Sequence, residues 1–146
     1  MSTAALFTWM VTIIFGLLLL IIWIIEYDRE FQSSSATRLP VPVIIGHALL
    51  GMAGLVLWIA YLLVDEQRLA WATVVILGTV ACLGLIMAAR WLGVYRAAIS
   101  PSQALNERVI IPPERNFPVP VVVTHGILAF TTIGLVVLSV LGVGGN

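Results

Sequence analysis

Charge is what this sequence lacks. Only 10% of its residues are Asp, Glu, Lys or Arg, where ordinary soluble domains hold about a quarter, and lysine is absent altogether. The stretches 2–25, 39–64, 69–89 and 116–146 contain no acidic or basic side chain other than histidine. A helix needs about 20 apolar residues to cross roughly 30 Å of hydrocarbon, so each stretch is long enough to span a bilayer. The shortage of charge excludes a soluble domain. A formal charge of zero argues against nucleic-acid binding and against strong attraction to anionic lipid.

Other shortages narrow the class further. No segment alternates polar and apolar residues over about ten positions, which excludes a membrane β-barrel. The single cysteine, Cys82, cannot form an internal disulfide and reads as a small packed apolar residue. The first hydrophobic stretch has no basic n-region, and Trp23-Ile24-Ile25-Glu26 is no small-residue cleavage site, so it reads as a retained helix. No phosphate-cradling glycine loop, activated nucleophile or carboxylate pair is present. Catalysis by side chains alone is therefore not expected; any activity would be electron transfer through a bound cofactor.

The hydrophobic stretches predict an all-α, four-helix transmembrane bundle with helices at about 6–25, 40–64, 69–90 and 118–141. Polar connections separate them, the third (about 96–116) the longest, and Asp65-Glu66-Gln67-Arg68 makes a tight turn that forces the second and third helices to be antiparallel neighbours. Trp9, Trp23, Tyr27, Trp71, Trp91 and Tyr95 fall near helix ends, as interfacial anchors would. The Ser33-Ser34-Ser35 run predicts a flexible loop, and Val109-Ile110-Ile111 a segment against the membrane surface.

Arginine sets the orientation. Arg29 and Arg38 lie in the first connection, and Arg96, Arg108 and Arg115 in the third, with Arg90 at its helical edge. Only Arg68 lies in the second. The positive-inside rule makes connections 26–39 and 91–117 cytoplasmic and puts both termini outside.

Against this uniform background one phrase occurs twice. Leu39-Pro40-Val41-Pro42-Val43-Ile44-Ile45-Gly46-His47 returns as Phe117-Pro118-Val119-Pro120-Val121-Val122-Val123-Thr124-His125. Trp23 and Tyr27 precede the first copy as Trp91 and Tyr95 precede the second. The pattern reads as a two-helix unit in tandem, 1–64 and 65–146, whose copies point the same way across the membrane. His47 and His125 are the only two histidines, each seven residues after the first proline. At about 1.5 Å per residue they share one depth. On helical spacing His47 shares a face with Gly51, Gly54, Trp58 and Tyr61, and His125 with Ala129, Thr132 and Ser139. Membrane helices turn such small and polar faces inward.

Two inward imidazoles at one depth suit the axial ligation of a single b-type haem. In that reading His47 and His125 are the iron ligands, Gly46, Gly51 and Gly126 make room, and Arg90 meets the propionates from the last turn of the third helix. The function is then quinone- or respiratory-chain-linked electron transfer. A cofactor-free structural or assembly subunit is the alternative, with the histidines as polar glue between helices. A small transporter or proton relay is a third, and would need a polar path among Thr8, Thr12, Thr79, Thr132 and Ser139.

On the repeated Pro-Val-Pro…His opening and the His125-Gly126 pair, the whole chain resembles small four-helix bacterial integral membrane proteins. The resemblance implies a multi-pass protein of the bacterial cytoplasmic membrane, surrounded by lipid, and no particular activity. At 146 residues with short loops the chain is small enough to be a subunit of a larger membrane complex or a homo-oligomer. The four-helix b-type cytochromes are a more distant likeness, since they carry three or four helical histidines for their haems.

Overall fold

The computed structural model describes residues 1–29, 37–98 and 112–143. They form four helices, α1 (Ser2–Arg29), α2 (Val41–Val64), α3 (Gln67–Ala98) and α4 (Val119–Val140), with a 3-10 turn at Pro113–Asn116 ahead of α4. All four helices are long and apolar enough to cross a membrane. Ser33-Ser34-Ser35 and Val109-Ile110-Ile111 lie outside the described residues.

α2 and α4 open in the same way because each begins with the same proline pair. Pro40 and Pro118 stand just outside the helix in extended conformation, with ψ of 123° and 120°. Pro42 and Pro120 fall in the first turn, where a missing N–H breaks no helical bond. The Pro40 carbonyl receives the amides of Val43 and Ile44, as the Pro118 carbonyl receives those of Val121 and Val122. At the opposite end α2 stops at Asp65, whose left-handed backbone (φ 52°) returns its N–H to Tyr61. α3 starts two residues later, so α2 and α3 are antiparallel neighbours. α4 ends at Gly142, with φ +72°. There the Val143 amide reaches back to the Leu138 carbonyl at 2.9 Å, closing the exposed carbonyl end of the helix.

α1 outruns its charge-free stretch at the far end, and α3 outruns its own at both ends. α3 continues to Ala98, so Arg90 lies about two turns before its end rather than in its last turn. Charge at an interface does not stop a helix whose outer face is in water, and Trp91 and Tyr95 stack at 5.5 Å along this extension.

The helices associate in two close pairs: α2 runs along α3 and α1 along α4, while α1 meets α2, and α3 meets α4, more sparsely. Near the Asp65 end a core forms from Ala5, Trp9, Trp58, Tyr61, Ala70, Leu77, Val136 and Val140. Near the proline end a second one forms from Trp23, Leu39 and Ile44. Trp9 is thus a core residue and no interfacial anchor. It lies over Gly54, where a Cβ would stand 3.0 Å from its Cζ2. Trp71 is exposed, as an anchor should be. Cys82 faces outward and is exposed, contrary to the packed position expected of it. Thr79 and Thr131 also face outward, each bonding the carbonyl four residues back, so neither needs another partner in lipid. Phe7, Leu49, Leu63, Val75, Ile127 and Phe130 make the rest of the outer surface apolar. That surface suits a lipid bilayer.

Candidate functional site

The two histidines are held by matching devices. His47 on α2 lies against α3, its Nδ1 donating to the Val80 carbonyl at 3.0 Å. Its Cε1 faces Gly84, where a Cβ would stand only 3.1 Å away. His125 on α4 lies against α1, with Nδ1 donating to the Thr12 carbonyl at 3.0 Å. Its Cε1 faces Gly16, and a Cβ there would be 3.0 Å from it. In both places the accepting carbonyl is one turn before the glycine. A helical carbonyl already receives the amide four residues on and keeps a second lone pair. Any side chain at that fourth residue would cover it. Glycine leaves it open to a ring from the neighbouring helix.

A carbonyl can only accept, so Nδ1 carries the proton and Nε2 of the neutral ring keeps its lone pair. No described residue hydrogen-bonds either Nε2. The ring centroids are 6.3 Å apart and the ring planes are inclined by 62°. Both rings border a cavity of about 270 Å³ between the two helix pairs, which Gly16, Gly51, Gly84 and Gly126 also line.

Among the residues singled out from sequence, His47, His125, Gly51 and Gly126 therefore share one cavity. Gly46 does not line it; the nearest side chain to a Cβ there is Leu83, at 3.8 Å. Arg90 lies outside the lining and is exposed, with Nη1 donating to the Arg38 carbonyl at 2.9 Å. Gly16 and Gly84 carry no sequence mark that ties them to a histidine, beyond Gly16's place on the small and polar face of α1.

Glu114 went unnoticed in the sequence. It is fully buried in the 3-10 turn. Its Oε1 accepts the Arg38 amide, and its Oε2 accepts the Thr37 hydroxyl at 3.1 Å. Thr37 Oγ1 in turn receives the Trp23 indole N–H at 3.4 Å. The 3-10 turn packs on α1 and α3. The only sequence hint is Pro112-Pro113, which fixes an extended entry into a turn.

The buried hydroxyls are largely paired with one another. Thr132 donates to Thr8 at 3.0 Å and lies 3.4 Å from the Thr12 hydroxyl, which in turn bonds the Thr8 carbonyl. Ser139 Oγ is buried with no partner among the described residues. With Thr79 outside, these groups form a local α1–α4 contact rather than a continuous line of polar atoms. No group of three or more His, Cys, Asp or Glu is assembled among the described residues. Among the described residues lining the cavity, the side chains with a metal-ligating atom are the two imidazoles and the thioethers of Met52 and Met87.

No protein-family model matches this chain, and neither does any curated protein or solved structure.

Proposed function

We propose that this membrane protein binds one b-type haem between His47 and His125 and carries electrons within the bilayer. The observation that supports it is the pair of imidazoles on opposite walls of one apolar cavity, each tied by Nδ1 to a backbone carbonyl with Nε2 left over. Metal-ligating histidines are oriented by such a bond from their other nitrogen, which fixes the tautomer and makes the ligand more basic. Two imidazole nitrogens aimed at each other, each about 2 Å from one metal ion and about an ångström from its ring centre, would put the centres roughly 6 Å apart; the centroids are 6.3 Å apart. With the two imidazoles as the protein ligands, the remaining ones would come from the macrocycle.

When bound, the haem supplies a one-electron couple. The residues of the chain hold the rings, line an apolar slot and keep water out. A flat ligand would enter between the two helix pairs, where α1 meets α2 and α3 meets α4 only sparsely. The arginine distribution puts the proline ends of α2 and α4 on the cytoplasmic side of a bacterial inner membrane. The shared histidine–glycine geometry is what a tandem duplication of a two-helix unit would leave.

The test is spectroscopic. Protein expressed with ample haem supply should show Soret absorbance, with α and β bands sharpening on reduction as bis-imidazole haem requires. Both His47→Ala and His125→Ala should abolish it. Absence of any Soret band in the parent protein overturns the reading.

One observation favours a cofactor-free structural role: each Nδ1–carbonyl bond is complete without a ligand and clips one helix to the next. In that case the two substitutions lower stability by about 0.6 kcal/mol each and leave no redox signature.

A further inference from the structure

Among the described residues, the cavity is capped towards the helix ends by buried side chains and bordered on its flanks by exposed apolar ones. At the proline end Leu39, Trp23, Pro113 and Glu114 are all buried, and the hydrogen bonds of Glu114 to the 37–38 backbone and side chain hold this plug in place. At the Asp65 end the Trp9–Trp58–Tyr61 core closes the bundle. The sides differ. Leu17 of α1 and Met52 of α2 line the cavity yet are 46% and 47% exposed on the outer surface. Leu85 of α3 and Phe130 of α4 do the same on the other side, at 55% and 62%. The cavity therefore reaches the outer surface between α1 and α2 and again between α3 and α4, where helix contact is sparse. Met52 and Phe130 sit at the middle of α2 and α4, so these openings lie deep in the hydrocarbon.

We infer that the electron partner of this site is an isoprenoid quinol, which meets the bound haem edge sideways from the bilayer at the Leu17/Met52 and Leu85/Phe130 openings. This rests on the haem reading above. Among the described residues, buried side chains lie between the cavity and each helix end. A partner dissolved in the hydrocarbon has two approaches. The quinol head is the common lipid-dissolved group that exchanges electrons, and apolar side chains at the openings fit its ring and tail. The exchange balances without a further reactant: a quinol leaving as quinone gives up a pair of electrons and a pair of protons, the electrons reduce two ferric copies of the protein to ferrous, and the protons pass to the aqueous phase.

The experiment follows haem reduction by decylubiquinol in nanodiscs containing the full chain. Leu17→Trp and Leu85→Trp, combined, should slow this reduction at least tenfold when each rate is normalised to the haem content of the sample and to its reduction by dithionite. Leu63→Trp, on the exposed surface away from the cavity, should have no effect. An unchanged rate in the haem-loaded double variant overturns the inference. If the parent protein holds no haem, the haem reading fails separately. The openings are then read from the fluorescence of Trp9, Trp23 and Trp91, which line the cavity. Saturable quenching by decylubiquinone supports quinone access, and its absence overturns it.

Discussion

His125 rests on the bare backbone of Gly16, so closely that a methyl group at Gly16 would stand 3.0 Å from its Cε1. Its Nδ1 is held on the Thr12 carbonyl at 3.0 Å, so the only open side left to the ring is the cavity, and moving into it strains that bond. Gly16→Ala should push the imidazole off that carbonyl and destabilise the bundle by about 1–3 kcal/mol, and Gly84→Ala should do the same through His47. Thermal unfolding in detergent measures the cost. In a His125→Ala background the Gly16→Ala penalty should vanish, because the clashing ring is gone. Gly78→Ala and Gly93→Ala, with nothing within 4 Å of the added Cβ, should be neutral or stabilising by up to about 1 kcal/mol.

The plug at the proline end depends on an acceptor, so Glu114 should tolerate an amide better than a hydrocarbon. Glu114→Gln retains a carbonyl for the Arg38 amide. Glu114→Leu leaves that amide without its acceptor and the Thr37 hydroxyl with only the Leu39 carbonyl at 3.3 Å, at a cost of about 1–3 kcal/mol. Hydrogen exchange at the Arg38 amide should accelerate strongly in the leucine variant and little in the glutamine one. Equal exchange in the parent and the leucine variant would contradict this role.

Two buried hydroxyls on α4 should respond in opposite ways. Thr132→Val removes the donor to Thr8 and the neighbour of Thr12, and should cost about 0.5–1.5 kcal/mol. Ser139→Ala removes an Oγ with no described partner, and should be neutral or stabilising. Denaturation of the two variants side by side distinguishes them.

Cys82 offers a direct probe of the lipid face, because it is the only cysteine and is exposed. A nitroxide attached there should collide freely with dissolved oxygen and hardly at all with an aqueous nickel chelate. The reverse pattern would place this face of α3 in water.

How much of this can be read without coordinates depends on what each feature obeys. The four crossings follow from hydrocarbon thickness, which sets a minimum apolar length that the sequence displays openly. The inward, equal-depth histidines follow from helical periodicity and the repeated proline opening. The environment of Trp9 does not, because an aromatic near a helix end can anchor at the interface or fill a space opposite a glycine, and only the tertiary position of Gly54 decides. The same holds for Gly16 and Gly84: periodicity puts Gly16 on the right face, while its pairing with a ring 109 positions away is a matter of helix arrangement. Arg90 was misplaced relative to its helix end because charge marks where hydrocarbon stops, and α3 continues past that point to Ala98. Glu114 was invisible because an acid between apolar helices is ordinarily solvated, and this one is buried by a turn folding back onto α1 and α3.

The pairing of α2 with α3, and of α1 with α4, also sets an order of assembly. α2 and α3 are joined by a two-residue connection and can close as a hairpin as soon as both have entered the membrane. α1 has to wait for α4, since the bond from His125 to Thr12 spans 113 residues of chain. During synthesis the wall carrying His47 is therefore complete while the opposite wall is still missing, and α1 has only its sparse contact with α2. A ligand that needs both rings can be captured only once α4 arrives, so loading of the site and closure of the bundle belong to the same late event.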